Sequence, residues 1–181
     1  MNLFILLSNL CFCMNTHTDT SSIYQLQFEG IDNNIIDMSS YINEQIIVFE
    51  FDAANPDRQQ IIALDSLYKN SNNLVIIAVP VKDFDSTAIS NDSLRIILKD
   101  SLQVSYPVTG ISLAQKDSPG QHPLLNWVTH LESNNHFNDD INDAGYMFVI
   151  SKTGILYSIM EKEISPSGAT MQEIIINQPL E

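Results

Sequence analysis

The stretch QIIVFEF at residues 45–51 is a nearly continuous apolar run of the length of one β-strand. A second run, LVIIAV, occupies residues 74–79 and is followed directly by Pro80. Between the two runs, residues 57–70 carry apolar side chains at helical spacing. Strands buried on both faces of a parallel sheet have this composition. The sequence therefore predicts two parallel strands joined by a right-handed helical crossover, the second strand ending at Pro80.

The segments on either side of this unit continue the alternation of strand and helix. A strand at residues 23–28, a turn and a return at residues 35–38 predict a hairpin in front of it. Behind it, the patterns predict a helix capped by Asn91, an extended piece at residues 106–108, a helix over residues 122–132, a polar loop at residues 133–143, strands at residues 146–150 and 155–160, and a helix over residues 168–177. The order predicts one α/β domain over residues 23–181, a three-layer α/β/α sandwich with a mixed central sheet.

The charge of the chain limits its partners. The sequence has 8 Lys and Arg against 22 Asp and Glu, a formal net charge of −14. Such a surface repels phosphate backbones and anionic lipid headgroups. We therefore expect no nucleic-acid binding and no direct binding to anionic membranes, and a basic protein is the partner class that the charge favours.

The first residues predict a leader. An apolar run from Leu3 to about Met14 is too short to span a membrane but has the length of a signal-peptide core. We expect a signal peptide at residues 1–14, a polar linker at residues 15–22, and export, with a lipid anchor as a variant. No basic residue precedes the run, so a cytosolic extension or a start codon placed too far downstream stays open. Both cysteines of the chain, Cys11 and Cys13, lie in this leader.

The ordered segments resemble motifs of the glutathione peroxidase family. The family's H-P-L-[YF]-x-W-L is most similar to HPLLNWV at residues 122–128. Weaker matches lie at residues 49–57 and 64–68, 78–84, 90–94, 106–108 and 147–154. The resemblance covers roughly residues 23–177 and implies a thioredoxin-like fold with an added N-terminal hairpin.

The same resemblance implies a peroxidase site whose residues are missing here. The family reduces hydroperoxides with a thiolate or selenolate that a Gln, a Trp and an Asn polarise. The matching positions hold Asn55 for the nucleophile, Asp83 for the Gln, and Asp143 and Ala144 for the Trp–Asn pair. An amide cannot replace a thiolate as the attacking group. We therefore expect no catalytic residues and no cofactor.

Other chemistry-bearing residues have simpler structural interpretations. Asn55-Pro56-Asp57 predicts a helix start, with Asn55 as the cap and Pro56 as the first helical residue. His122 is expected to cap and pack, and Trp127 to lie in the core. His130, His136, Asp139, Asp140 and Asp143 could hold a metal but match no zinc or calcium motif, so we expect a solvated acidic loop and no metal.

Two functions from different classes stay open. In the first, the chain is an exported, glutathione-peroxidase-like binding or structural module without thiol peroxidase activity. In the second, it is an oxidoreductase that reduces hydroperoxides with a thiol from Cys11, Cys13 or a partner. Metal or ligand delivery by a thioredoxin-like domain is a further role. A peroxide-consumption assay separates the first two.

Overall fold

The computed structural model describes residues 22–85 and 87–179. The leader cysteines and the predicted signal peptide, together with all of the predicted linker except Ser22, lie outside these residues. The strands of the described chain are β1 (Gln27–Glu29), β2 (Ile35–Asp37), β3 (Gln45–Asp52), β4 (Leu74–Val81), β5 (Met147–Ile150) and β6 (Leu156–Met160). Its α-helices are α1 (Arg58–Asn70), α2 (Asn91–Arg95), α3 (Pro123–Thr129), α4 (Leu131–Asn134) and α5 (Ala169–Ile176). None of the helices in this part of the chain is long and apolar enough to cross a membrane.

The central sheet is mixed, as the sequence predicts. Its order is β4-β3-β5-β6, with β3 parallel to β4 and antiparallel to β5. An extended segment at residues 107–112 continues the sheet beyond β4, since Ala78 N–H donates to the Pro107 carbonyl over 2.9 Å. That segment in turn meets the β1–β2 hairpin through a bridge between Gly30 and Thr109. The predicted hairpin is thereby attached to the outer side of the crossover unit.

The pleat of β3 divides its side chains between two apolar cores. Ile47, Phe49 and Phe51 pack with α1, whereas Ile46 and Val48 pack with α3. We call these two sides of the sheet the α1 face and the α3 face. Helices on both faces make the three-layer α/β/α arrangement that the sequence predicts.

Two predicted strand boundaries are wrong. Pro80 does not end β4, because the outer side of β4 pairs with residues 107–112 only through isolated bridges, where a residue without an N–H is tolerated. Its carbonyl still accepts a hydrogen bond from Ser112 N–H over 3.1 Å. The predicted strand at residues 23–28 begins instead with a short 3₁₀ turn, Ile23–Gln25, which the Ser22 hydroxyl caps.

Two predicted helices also differ in detail. Ser90, not Asn91, caps α2, and the Asn91 side chain instead accepts a hydrogen bond from Ile111 N–H over 2.8 Å. A π-helical turn, Ile96–Ser101, then continues α2. The predicted helix over residues 122–132 is divided into α3 and α4, because His130 has an extended backbone, with φ −116° and ψ 116°.

Candidate functional site

An open pocket of about 320 Å³ lies where β3 ends and α1 begins. Asn55, Asp143 and Ala144, three of the four positions expected from the resemblance, line it. Asp83, the fourth, does not line it, although the next residue, Phe84, does. The fold therefore brings three of the predicted positions together and directs the fourth elsewhere.

Asn55 is an exposed residue on the approach to α1 and does not cap it. The cap is Asp57, whose carboxylate accepts hydrogen bonds from Gln59 N–H over 2.9 Å and Gln60 N–H over 3.2 Å. The predicted cap was therefore placed two residues too early, and Pro56 precedes the helix. A carboxylate next to the first helical turn fits the positive end of the helix dipole.

Asp83 holds two loops together. Its Oδ2 accepts hydrogen bonds from Ala114 N–H over 2.6 Å and Gln115 N–H over 2.7 Å. The other oxygen, Oδ1, is buried without a hydrogen-bond partner among the described residues. The side chain at this position thus anchors the end of β4 to the chain that precedes α3.

The far wall of the pocket is the turn that leads into β5. Asp143 pairs with Lys162, which is the main reason that the pKa of Asp143 lies below its ordinary value. Gly145 is fixed on both sides: its N–H donates to the Glu50 carbonyl over 3.1 Å, and its carbonyl accepts from Gln60 Nε2 over 3.2 Å. We call residues 143–146 the pocket wall.

Gly145 fits this wall because it is glycine. Its φ of +106° lies in the region that side chains disfavour, and a Cβ here would meet Lys162 Cβ at 2.7 Å. The wall and the Lys162 turn are therefore in direct steric contact.

Glu50 is a residue beside the site that the sequence motifs do not indicate. It is 0% exposed, and its position in the pleat of β3 puts its side chain on the α3 face. Neither carboxylate oxygen has a hydrogen-bond partner of ordinary geometry among the described residues. Its signal in the sequence was a single acidic residue within the apolar run QIIVFEF.

Burial raises the pKa of Glu50 to about 8. Backbone N–H groups of Tyr146 and Gly145 lower the pKa in part, and the carboxylates of Asp83 and Asp143 raise it further. At neutral pH, Glu50 is accordingly mostly a neutral carboxylic acid beside the pocket wall.

His122 and Trp127 have the structural roles that the sequence predicts. His122 Nδ1 accepts from Leu124 N–H over 3.2 Å at the start of α3, and its ring packs edge-on against Phe28 with centroids 4.7 Å apart. Burial lowers the pKa of His122 to about 3. Trp127 is 4% exposed in the core of the α3 face.

Hydrogen bonds join residues of the acidic loop to the segment that precedes α3. Asp140 accepts from Lys116 N–H over 2.6 Å, and His130 Nε2 lies 3.1 Å from Asp117 Oδ1. Residues 22–85 and 87–179 contain no group of three or more His, Cys, Asp or Glu side chains that could hold a metal ion. Among the described residues, the pocket at the end of β3 is lined by carboxylates, amides and the Lys162 ammonium, and by no cysteine.

No protein-family model and no curated protein matches this sequence. Solved structures do match it. A structure of Trgpx in apo form has a TM-score of 0.65 and 18% identity, and covers 86% of this chain and 94% of its own. A structure of GPX1 of T. cruzi has a TM-score of 0.57 and 15% identity, and covers 79% of this chain and 90% of its own. A secreted disulfide oxidoreductase of Mycobacterium tuberculosis, homologous to E. coli DsbE, has a TM-score of 0.50 and 6% identity, and covers 76% of this chain and 84% of its own.

These likenesses are below the identity at which an activity carries over, and they show the fold. The chain has a thioredoxin-like fold.

Proposed function

We propose that this protein is an exported thioredoxin-fold module that binds a partner or has a structural role, without thiol peroxidase activity. One observation carries the proposal: Asn55 lines the pocket on the approach to α1. The sequence resemblance matches this position to the nucleophile of the glutathione peroxidase family. An amide side chain has no thiolate to attack a peroxide O–O bond.

The other positions support the same conclusion. Asp83 is used by the Ala114 and Gln115 amides, and Asp143 is used by Lys162. The carboxylates that line the pocket, those of Asp52, Asp57 and Asp143, would raise the pKa of a thiol placed at position 55, which lowers its reactivity. The pocket is better suited to polar contacts than to redox chemistry.

The partner class follows from charge. With a formal net charge of −14, a basic protein is the partner that the surface attracts most strongly. Export is part of the proposal because of the leader-like run, and a neighbour in fold is described as secreted. The lipid anchor stays the variant that an intact-mass measurement of the mature protein would detect.

The alternative is a hydroperoxide reductase that uses Cys11, Cys13 or a partner's thiol. This alternative is supported by the names of the neighbours in fold, which include a glutathione peroxidase-type protein and a disulfide oxidoreductase. It requires that the leader cysteines stay on the mature chain or that a partner brings sulfur to the pocket.

Consumption of hydrogen peroxide and an organic hydroperoxide, with thioredoxin or glutathione as reductant, tests the two functions. We expect the full chain to match the enzyme-free rate. Turnover above that rate which the Cys11→Ser/Cys13→Ser variant loses would establish the alternative. Turnover that this variant keeps would place the thiol on a partner or the reductant and would also overturn the proposal. We expect Asn55→Cys to stay inactive, since the three other positions are unchanged.

A further inference from the structure

The carboxyl group of Glu50 lies beside the pocket wall without a role in the function proposed above. Its backbone forms the last rungs of the ladder between β3 and the wall: Glu50 N–H donates to the Tyr146 carbonyl over 3.0 Å, and Gly145 N–H donates to the Glu50 carbonyl over 3.1 Å. Any movement of the Glu50 strand position relative to the wall must break one of these bonds.

Burial of the Glu50 side chain is unfavourable in free energy. The side chain is 0% exposed, and neither of its oxygens has a hydrogen-bond partner of ordinary geometry among the described residues, although the nearby N–H groups of Gly145 and Tyr146 offset part of the cost of ionising it. A neutral carboxylic acid can remain in such a place, but an ionised one requires water or a cation. Water or a cation would reach the carboxyl group most directly at the pocket wall, where the ladder ends.

The charged groups around Glu50 do not stabilise its ionised form. Asp83 approaches from the end of β4, and Asp143 and Tyr146 approach from the wall itself. On the side of the wall, Lys162 is already paired with Asp143. Helix α3, which covers this face, contributes no charged residue over Pro123–Thr129. An ionised Glu50 therefore meets anions on two sides.

We propose that Glu50 is a proton-controlled support of the pocket wall: with its proton, it holds residues 143–146 closed, and without it, the wall opens and widens the pocket. The pocket then has two shapes whose balance is set by pH. This inference does not depend on whether the pocket is catalytically silent.

Amide hydrogen exchange of the full chain, followed residue by residue by NMR between pH 5.5 and 9, tests the proposal. After correction for the intrinsic exchange rate, we expect the protection of Gly145 N–H to fall by up to about tenfold for each pH unit as pH rises toward the Glu50 transition near pH 8, and to level off above it. Glu50→Gln, which resembles the protonated acid, should abolish this fall. Glu173→Gln, which changes an exposed acid on α5, should leave it unchanged.

A second variant tests the origin of the transition. Asn at position 83 can still accept from Ala114 and Gln115 N–H but carries no charge, so Asp83→Asn should move the transition to lower pH. An unmoved or raised midpoint in this variant would show that another group titrates. Equal pH profiles for the native chain and Glu50→Gln would overturn the proposal outright, as would a Gly145 profile that Glu173→Gln flattens.

Discussion

The α1 face and the α3 face of the same sheet treat buried polar groups differently. On the α1 face, Asp65 accepts Ser105 N–H over 2.7 Å and pairs with Lys69, and Tyr106 donates to the Ile61 carbonyl over 3.4 Å. On the α3 face, Glu50 has both oxygens unpartnered, and His122 has its Nε2 unpartnered, among the described residues. The comparison teaches that the buried polar groups of the α1 face have partners inside the fold, whereas two titratable groups of the α3 face do not.

The largest expected effect is on the α1 face. Phe49 is fully buried and stacks on Phe51 with ring centroids 5.3 Å apart. Phe49→Ala should lower the free energy of unfolding by about 3–5 kcal/mol through lost burial and a cavity. Urea unfolding at pH 5 and pH 8 measures it. If the comparison of the faces is correct, the loss is equal at both pH values, and a loss that differs strongly between them would contradict it.

Glu50 should give the next largest effect, on the α3 face. Its pKa in the folded protein, about 8, is above the ordinary value of 4.5, so the folded state binds the proton more tightly. Its contribution to stability is then full below pH 4.5 and is lost as pH rises toward 8. Relative to Glu50→Gln, the native chain should lose on the order of 3 kcal/mol over this range in urea unfolding. A constant difference between the two chains would refute the buried, neutral state.

His122 should give the opposite pH dependence. Its pKa in the folded protein, about 3, is below the ordinary value of 6.5, so its contribution is full above pH 6.5 and is lost as pH falls toward 3. His122→Asn keeps a side-chain oxygen that can cap α3 but removes the titration. We expect the native chain to lose about 2 kcal/mol relative to this variant between pH 6.5 and 4.5. Parallel curves would mean that His122 is protonated inside the fold.

The smallest expected effects on stability distinguish Asp57, the observed cap of α1, from Asn55, the predicted cap. Asp57→Ala removes the bonds to Gln59 and Gln60 and should cost about 1 kcal/mol. Asn55→Ala is the matched control at the predicted but incorrect cap and should change stability by less than about 0.5 kcal/mol. Thermal unfolding of both variants is sufficient, and a reversed order would restore Asn55 as the cap.

The elements that periodicity determines were predictable from the sequence. The runs at residues 45–51 and 74–79 and the helical spacing between them depend on burial, which leaves a direct record in residue type. Helix boundaries were less accessible, since Asn55, Asp57, Ser90 and Asn91 are all competent caps and only the tertiary course of the chain selects between them.

The site was predictable in position but not in detail. Three of the four expected positions do line one pocket, because the ends of neighbouring strands meet at one edge of a sheet. The partners of Asp83 lie 31 and 32 residues away along the chain, and no local pattern announces them. The role of Glu50 depends on what surrounds it after folding, although its place inside an apolar run was visible from the start.

Gly145 has a consequence for how this protein can diverge. A side chain at this position would press on Lys162, and the backbone conformation would disfavour it as well. A substitution at position 145 is therefore tolerated only after the turn around Lys162 has changed. The order in which replacements can accumulate along this edge is constrained, so a descendant that acquires a larger residue at position 145 must first pass through an altered turn.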